Sequence, residues 1–230
     1  MQPGQPSRTA LGAAYHRAAH QVLEGGIIFT DPLAARILGA DAEAAVRDAE
    51  HDPSRRRLRL FIAGRTRFAE DSLAAAVAGG VRQLVVLGAG LDTYAYRTTL
   101  GESLRIFEVD HPATQAWKRQ RLAEAAIPLP SALVFAPVDF ERETLADGLT
   151  AAGFDPGQQT FFTWLGVVPY LTEQAVFSTL GFIASLPEGA HVVFDYGNPQ
   201  AASPDQDEYA AVREALAARV ASLGEAFRSH

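Results

Sequence analysis

Cysteine is absent from the 230 residues, which removes disulfides, thiolate zinc clusters and thiol nucleophiles by inventory alone. The same absence fits a reducing compartment, so a cytoplasmic protein is expected. Long apolar runs are missing too. The richest stretches, LVVLGAGL at 84–91 and TFFTWLGVVPYL at 160–171, are too short and too broken by glycine to cross a bilayer. No basic-then-apolar leader opens the chain, and no membrane partner is expected. Positive charge is scarce: the formal net charge is -7, and the one dense basic run is Arg55, Arg56, Arg57 and Arg59. Such a balance repels phosphate backbones, so nucleic acid is not an expected partner. Internal repeats and low-complexity tracts are also lacking.

What is present is a core-forming composition, 48% hydrophobic and 20% charged. A chain of this length suits one α/β domain with a modest extension. Residues 1–80 read as an N-terminal helical cap and 81–230 as the core, together one structural unit. Residues 1–8 carry no apolar period and read as a tail. From Thr9 to Ala49, alanine-rich helical segments are broken at Gly25-Gly26 and at Asp31-Pro32, where proline suits a first helical turn. A longer helix is expected from Ser54, as N-cap, to Val77, with Gly79-Gly80 as its stop. Leu58, Phe61, Ile62, Phe68, Leu73 and Val77 mark its apolar face, and Arg65 falls on that face, where a charge needs a partner. Arg67 has Glu70 and Asp71 three and four residues on, an ordinary surface ion pair.

Beyond Gly80 the chain alternates. QLVVLG (83–88), LRIFEV (104–109), ALVFAPV (132–138), TFFTWL (160–165) and HVVFDY (191–196) read as buried strands separated by helix-length segments. That pattern predicts a mainly parallel sheet covered on both faces, with ligands at the carboxyl ends of its strands.

Gly88, Ala89 and Gly90 directly follow the first of these strands, where glycine permits a tight turn and close ligand approach. Glu108 and Asp110 close the second strand, where an acid can take a ribose hydroxyl pair. Both features suit either a nicotinamide dinucleotide or an adenosyl nucleoside. A dinucleotide turn wants a third glycine, and GAGLDT puts Thr93 there instead. S-adenosylmethionine has no phosphate; it needs a cation for its carboxylate and an acid for its ribose, and Arg65 and Asp110 would supply them. Asp139-Phe140, after the third strand, offers a carboxylate for an adenine amino group and a ring to hold the base. Each residue has a plainer use: Arg65 with its stem packed on Phe61 and Phe68, Asp110 and Asp139 as helix caps, and Trp164, Tyr170 and Tyr196 as packing. Arg97 and His111 could orient an acceptor or act as a base, or serve an ion pair and a hydrogen bond.

RTRFAED at 65–71, VVLGAGLDTYAYR at 85–97, FEVDHPATQAWKR at 107–119 and VDFE at 138–141 resemble the leucine carboxyl methyltransferase family, especially its bacterial branch, across about residues 7–197. The resemblance implies a Rossmann-like class I methyltransferase fold binding S-adenosyl-L-methionine, and an O-methyltransferase acting on a carboxylate or hydroxyl of a small acid or a protein. It implies that Arg65 grips the cofactor carboxylate, that Gly88, Ala89 and Gly90 form the glycine turn, that Asp110 binds the ribose and that Asp139 and Phe140 bind adenine. Arg17 resembles a further basic contact. No catalytic residue and no metal ligand is assigned.

Two features depart from the family. Leu165 stands where many members carry a glutamate at the end of the fourth strand. The family also continues into strands that complete a seven-stranded sheet, so an incomplete sheet with an exposed fifth strand, and with it either a homodimer or a poorly soluble fragment, is expected. The alternatives are an NAD-dependent oxidoreductase, disfavoured by Thr93, and a cofactor-binding protein without turnover.

Overall fold

A computed structural model describes residues 7–139 and 142–197. Five strands, β1 (Gln83–Leu87), β2 (Arg105–Asp110), β3 (Leu133–Pro137), β4 (Thr160–Trp164) and β5 (Ala190–Phe194), form one sheet in the order β3-β2-β1-β4-β5. Every pairing is parallel. This is the expected Rossmann-like α/β arrangement, with β1 in the middle and the strand order crossing to the far side of β1 between β3 and β4.

Strand alternation sends residues to two apolar layers. Val85, Leu87, Phe107, Val109, Phe162 and Trp164 pack with Leu145 and Leu149 of α6 (Leu145–Ala151) and Ile183 of α7 (Glu173–Ala184). Leu84, Val86, Ile106 and Phe161 pack on the other face with Leu73 of α3 (Arg56–Ala78). A third cluster joins Ala14 and Ala18 of α1 (Arg8–Leu23), Leu33 and Ile37 to Leu91 beside the β1 turn and to Leu122 of α5 (Pro112–Glu124). The N-terminal helices, with α2 (Asp41–His51) packed on α1, are thereby seated against the turn after β1.

The expected apolar face of α3 holds at Ile62 and Leu73 and is corrected at Phe61 and Phe68. The helix buries Arg59, Ile62, Ala63, Thr66, Ala69 and Leu73, whereas Phe61 and Phe68 are 51% and 64% exposed. Ser54 is no N-cap either: α3 begins at Arg56 after a 3₁₀ turn (Pro53–Arg55), and the Ser54 hydroxyl bonds Asp52. Asp31-Pro32 opens a turn rather than a helix, with Asp31 Oδ1 accepting the Leu33 N–H at 3.0 Å. The sequence also leads one to expect a last helix after the loop at 197–206, and that segment lies outside the described residues. Within them β3 and β5 are the edges of the sheet, and no helix is long and apolar enough to cross a membrane.

Candidate cofactor site

The turn after β1 is held open by conformation and closed by contact. Gly88 and Gly90 adopt φ of 64° and 45°, a left-handed backbone that a Cβ disfavours. A Cβ on Gly88 would lie 2.3 Å from Val167 Cγ2, and one on Gly90 2.8 Å from Ala10 Cβ. The segment after β4 and the first turn of α1 thus rest directly on the two glycines. That first turn is anchored by Ser7, whose hydroxyl caps the helix through the Ala10 N–H and whose own N–H bonds Thr114 at the start of α5. Between the glycines, Ala89 donates its N–H to Val109 O at 3.1 Å, which pins the turn to β2.

Asp110 meets the turn from β2. Its Oδ2 accepts the Gly90 N–H at 2.6 Å and its Oδ1 the His111 N–H at 2.7 Å. Burial pushes its carboxyl above the ordinary range, and the two amides draw it part of the way back. Each oxygen keeps a free lone-pair direction. Glu108, the other acid of this strand, points elsewhere. It is fully buried, 2.7 Å from Lys118 Nζ, with the Tyr96 hydroxyl donating to it at 3.0 Å. Burial raises the pKa of both Glu108 and Tyr96.

Arg65 reaches the carboxyl ends of β4 and β5. Its Nη1 donates to Asp195 Oδ2 at 2.5 Å, and Asp195 Oδ1 also accepts the Gly166 N–H. Gly166, at φ of 71°, leaves room for the guanidinium, since a Cβ there would lie 2.7 Å from Arg65 Nη2. The charge on α3 therefore has a partner, though not one within its own helix. Its guanidinium also lies 5.6 Å from the Phe61 ring. Arg65 Nε is buried without a hydrogen-bond partner.

Asp139 follows β3, and its backbone carbonyl accepts the N–H groups of Arg142 and Glu143 at 2.8 Å. Its carboxylate lies 3.7 Å from Arg142 Nε. Phe140 lies outside the described residues. Strand order accordingly lines up Asp139, Asp110, Gly88 to Gly90, Gly166 and Asp195 along one edge of the sheet, with Arg65 reaching in from α3.

Other named residues have structural duties. His111 caps α5, its Nδ1 accepting the Ala113 N–H at 3.1 Å. Arg97, at the end of the four-residue α4 (Tyr94–Arg97), pairs with Glu70 through both terminal nitrogens and lies 4.8 Å from the Phe29 ring. Arg17 donates to Leu91 O and sits 3.6 Å from Asp31. Thr93, at the third-glycine position, donates to Asp31 Oδ2 at 2.6 Å, with both residues 1% exposed. This buried network ties the cap to the β1 turn. Trp164 is core packing at 2% exposure, while Tyr196 is 67% exposed beside Phe194. Gly166, Val167 and Asp195 were not singled out in the sequence, and Asp31 only as part of a helix break. Asp195 carried a readable signal, an acid directly after an apolar strand in HVVFD, the same placement as Asp110 in FEVD.

The residues suit S-adenosylmethionine by the chemistry of the donors. A half-buried cation with an orphaned nitrogen stands on one side, a carboxylate with free lone pairs on the other, and two glycines without Cβ lie between. A dinucleotide fits less well, because α4 is too short to aim a helix N-terminus at a pyrophosphate. Among the described residues no cluster of His, Asp and Glu could hold a metal ion.

A family model described as leucine carboxyl methyltransferase matches residues 10–184. A Bacillus subtilis protein named "Putative S-adenosyl-L-methionine-dependent methyltransferase YktD" is 33% identical over 226 residues, covering 86% of this chain and 73% of that protein. Proteins of the same description from Frankia alni and Streptomyces coelicolor are 35% and 36% identical, over 81% and 76% of this chain. The chain spans 66% and 63% of their lengths. The crystal structure of a DUF574 family protein from Streptomyces avermitilis aligns with a TM-score of 0.53 at 17% identity, over 94% of this chain and 78% of that one, and shares the fold.

Proposed function

This chain belongs to the leucine carboxyl methyltransferase family, and with it to the S-adenosylmethionine-dependent methyltransferases; from that premise we propose that it methylates a carboxylate oxygen, preferentially of a small organic acid. The sulfonium of the bound cofactor supplies a methyl group already activated for direct displacement. What remains for the protein is to bind, align and exclude water.

Arg65 would hold the cofactor's carboxylate, Asp110 its ribose hydroxyls, and Gly88 to Gly90 would let it lie against the backbone. Val167 and Ala10 fill the space beside those glycines, so a ligand lying on the turn would displace the segment after β4 and the start of α1. Asp139 would accept from the adenine amino group.

The observation that carries the choice of acceptor is the engagement of His111. The imidazole that could have served as a general base at these strand ends instead caps α5 through its Nδ1. Arg97 is likewise committed to Glu70 and Asp31. A carboxylate is already anionic near neutral pH and attacks without losing a proton, whereas an alcohol or phenol needs a base. Carboxylate transfer thus asks least of the residues in place.

Incubation with cofactor labelled on its methyl group, against a panel of carboxylic acids, phenols and alcohols, tests this reading. Label transferred to an acid and released as methanol by mild alkali marks a methyl ester. Alkali-stable label, or a rate that climbs with pH toward a phenol pKa, would replace the carboxylate with a hydroxyl acceptor.

A further inference from the structure

The amino-acid end of the proposed cofactor is a zwitterion, and a site built for it must satisfy an ammonium as well as a carboxylate. Arg65 answers the carboxylate. Leu165, the residue directly after β4, can offer the ammonium nothing beyond its backbone. The nearest side-chain anion to Arg65 stands one strand over. Asp195 follows β5, with a side chain 17% exposed against 16% for Arg65.

Its position is fixed from two sides. Oδ2 receives Arg65 Nη1 at 2.5 Å, and Oδ1 receives the Gly166 N–H, which tethers the carboxylate to the residue after Leu165. A carboxylate has about four acceptor directions, so these two bonds leave others for an ammonium. Because β4 and β5 are hydrogen-bonded neighbours, with Trp164 opposite Phe194, the residues after these partners leave the sheet side by side.

We propose that Asp195 binds the α-ammonium of the cofactor, in concert with Arg65 on its α-carboxylate, and so takes over the anionic contact that Leu165 does not provide. This rests on the cofactor reading above. The pair then acts as a matched cation and anion that recognises an amino-acid head group. It would distinguish S-adenosylmethionine and S-adenosylhomocysteine from adenosine derivatives that lack that group. Arg65 Nε, buried and unpartnered, is one donor available to the carboxylate while Nη1 stays with Asp195.

Titration calorimetry with two probes tests the assignment. S-adenosylhomocysteine carries the amino-acid group; methylthioadenosine has the same nucleoside without it. Asp195→Asn keeps an acceptor for the Gly166 N–H and removes the charge. The expected result is tenfold or greater weakening for S-adenosylhomocysteine, with methylthioadenosine affinity within twofold of wild type. Arg65→Met should show the same selectivity for the probe. Unchanged S-adenosylhomocysteine affinity in Asp195→Asn overturns the proposal. Tighter binding also overturns it, because Asp195 would then merely occupy Arg65. Equal loss of both probes marks a structural role and overturns it as well. Wild-type protein that binds neither probe removes the cofactor reading itself, and this assignment with it.

Discussion

Placing a methyl group on Gly88 probes the β1 turn at its tightest point. Two costs can be worked separately. The backbone there has φ of 64°, which disfavours an L-residue with a Cβ by about 1–2 kcal/mol. The new Cβ would also lie 2.3 Å from Val167 Cγ2, and overpacking of this kind costs about 1–3 kcal/mol. Gly88→Ala should therefore lose about 2–5 kcal/mol in urea denaturation, a fall of roughly 4–20 °C in Tm for a protein of this size. Trimming the neighbour separates the two parts. In Gly88→Ala with Val167→Ala the clash is gone and the backbone cost stays, so the pair should be less destabilised than the sum of the singles by about 1–3 kcal/mol. If the singles simply add, Val167 does not press on the turn. If Gly88→Ala is within about 0.5 kcal/mol of wild type, as a neutral surface change would be, the left-handed turn itself is wrong.

Glu24→Gln removes the anion from Arg59, which is 3% exposed and held through Nε at 2.8 Å and Nη2 at 2.7 Å; a loss of about 3 kcal/mol is expected by denaturation, as for a broken buried pair. The Arg59 hydrogen bond lowers the Glu24 pKa, so this contribution is present above the ordinary glutamate range and fades as pH falls through the folded-state value; the difference from Glu24→Gln should shrink along that acid limb. Lys118→Met strands the buried Glu108 charge and should cost about 3–5 kcal/mol, most of it recovered by adding Glu108→Gln, which keeps an acceptor for Tyr96; a double variant no better than the single would break the pairing argument. Thr93→Gly restores the third glycine of a dinucleotide turn but removes the hydroxyl bonded to buried Asp31, so a loss of about 1–3 kcal/mol is expected, with no enhancement of NADH fluorescence. Gain of NADH binding would reopen the oxidoreductase reading.

The strands were legible because a parallel strand buried on both faces must be an apolar run: QLVVLG and TFFTWL differ from Gln83–Leu87 and Thr160–Trp164 by one residue at the carboxyl end. Contacts decided by distant partners were not legible. On α3 the large Phe61 and Phe68 are exposed while the smaller Ala63, Thr66 and Ala69 are buried, a choice set by partners distant in sequence rather than by side-chain size. Ser54 had the chemistry of a cap and lost to a 3₁₀ turn begun by Pro53. Arg65 announced its need for a partner, but Asp195 is 130 residues away, and no helical or strand period encodes that meeting.

Once the strand order is known, the residues after each strand become informative as a set. From β3 to β5 the row runs acid, acid, glycine turn, glycine, acid, through Asp139, Asp110, Gly88 to Gly90, Gly166 and Asp195, and its cation, Arg65, stands at the β5 end. Charge along this edge is therefore polar in direction. A ligand with donors at one end and a zwitterion at the other matches it in one orientation, donors toward β2 and β3, head group toward β4 and β5. Reversal would set a carboxylate against Asp110 and Asp139, at a like-charge and desolvation cost. Direction is thus encoded by where the strands end, and composition alone could not have displayed it.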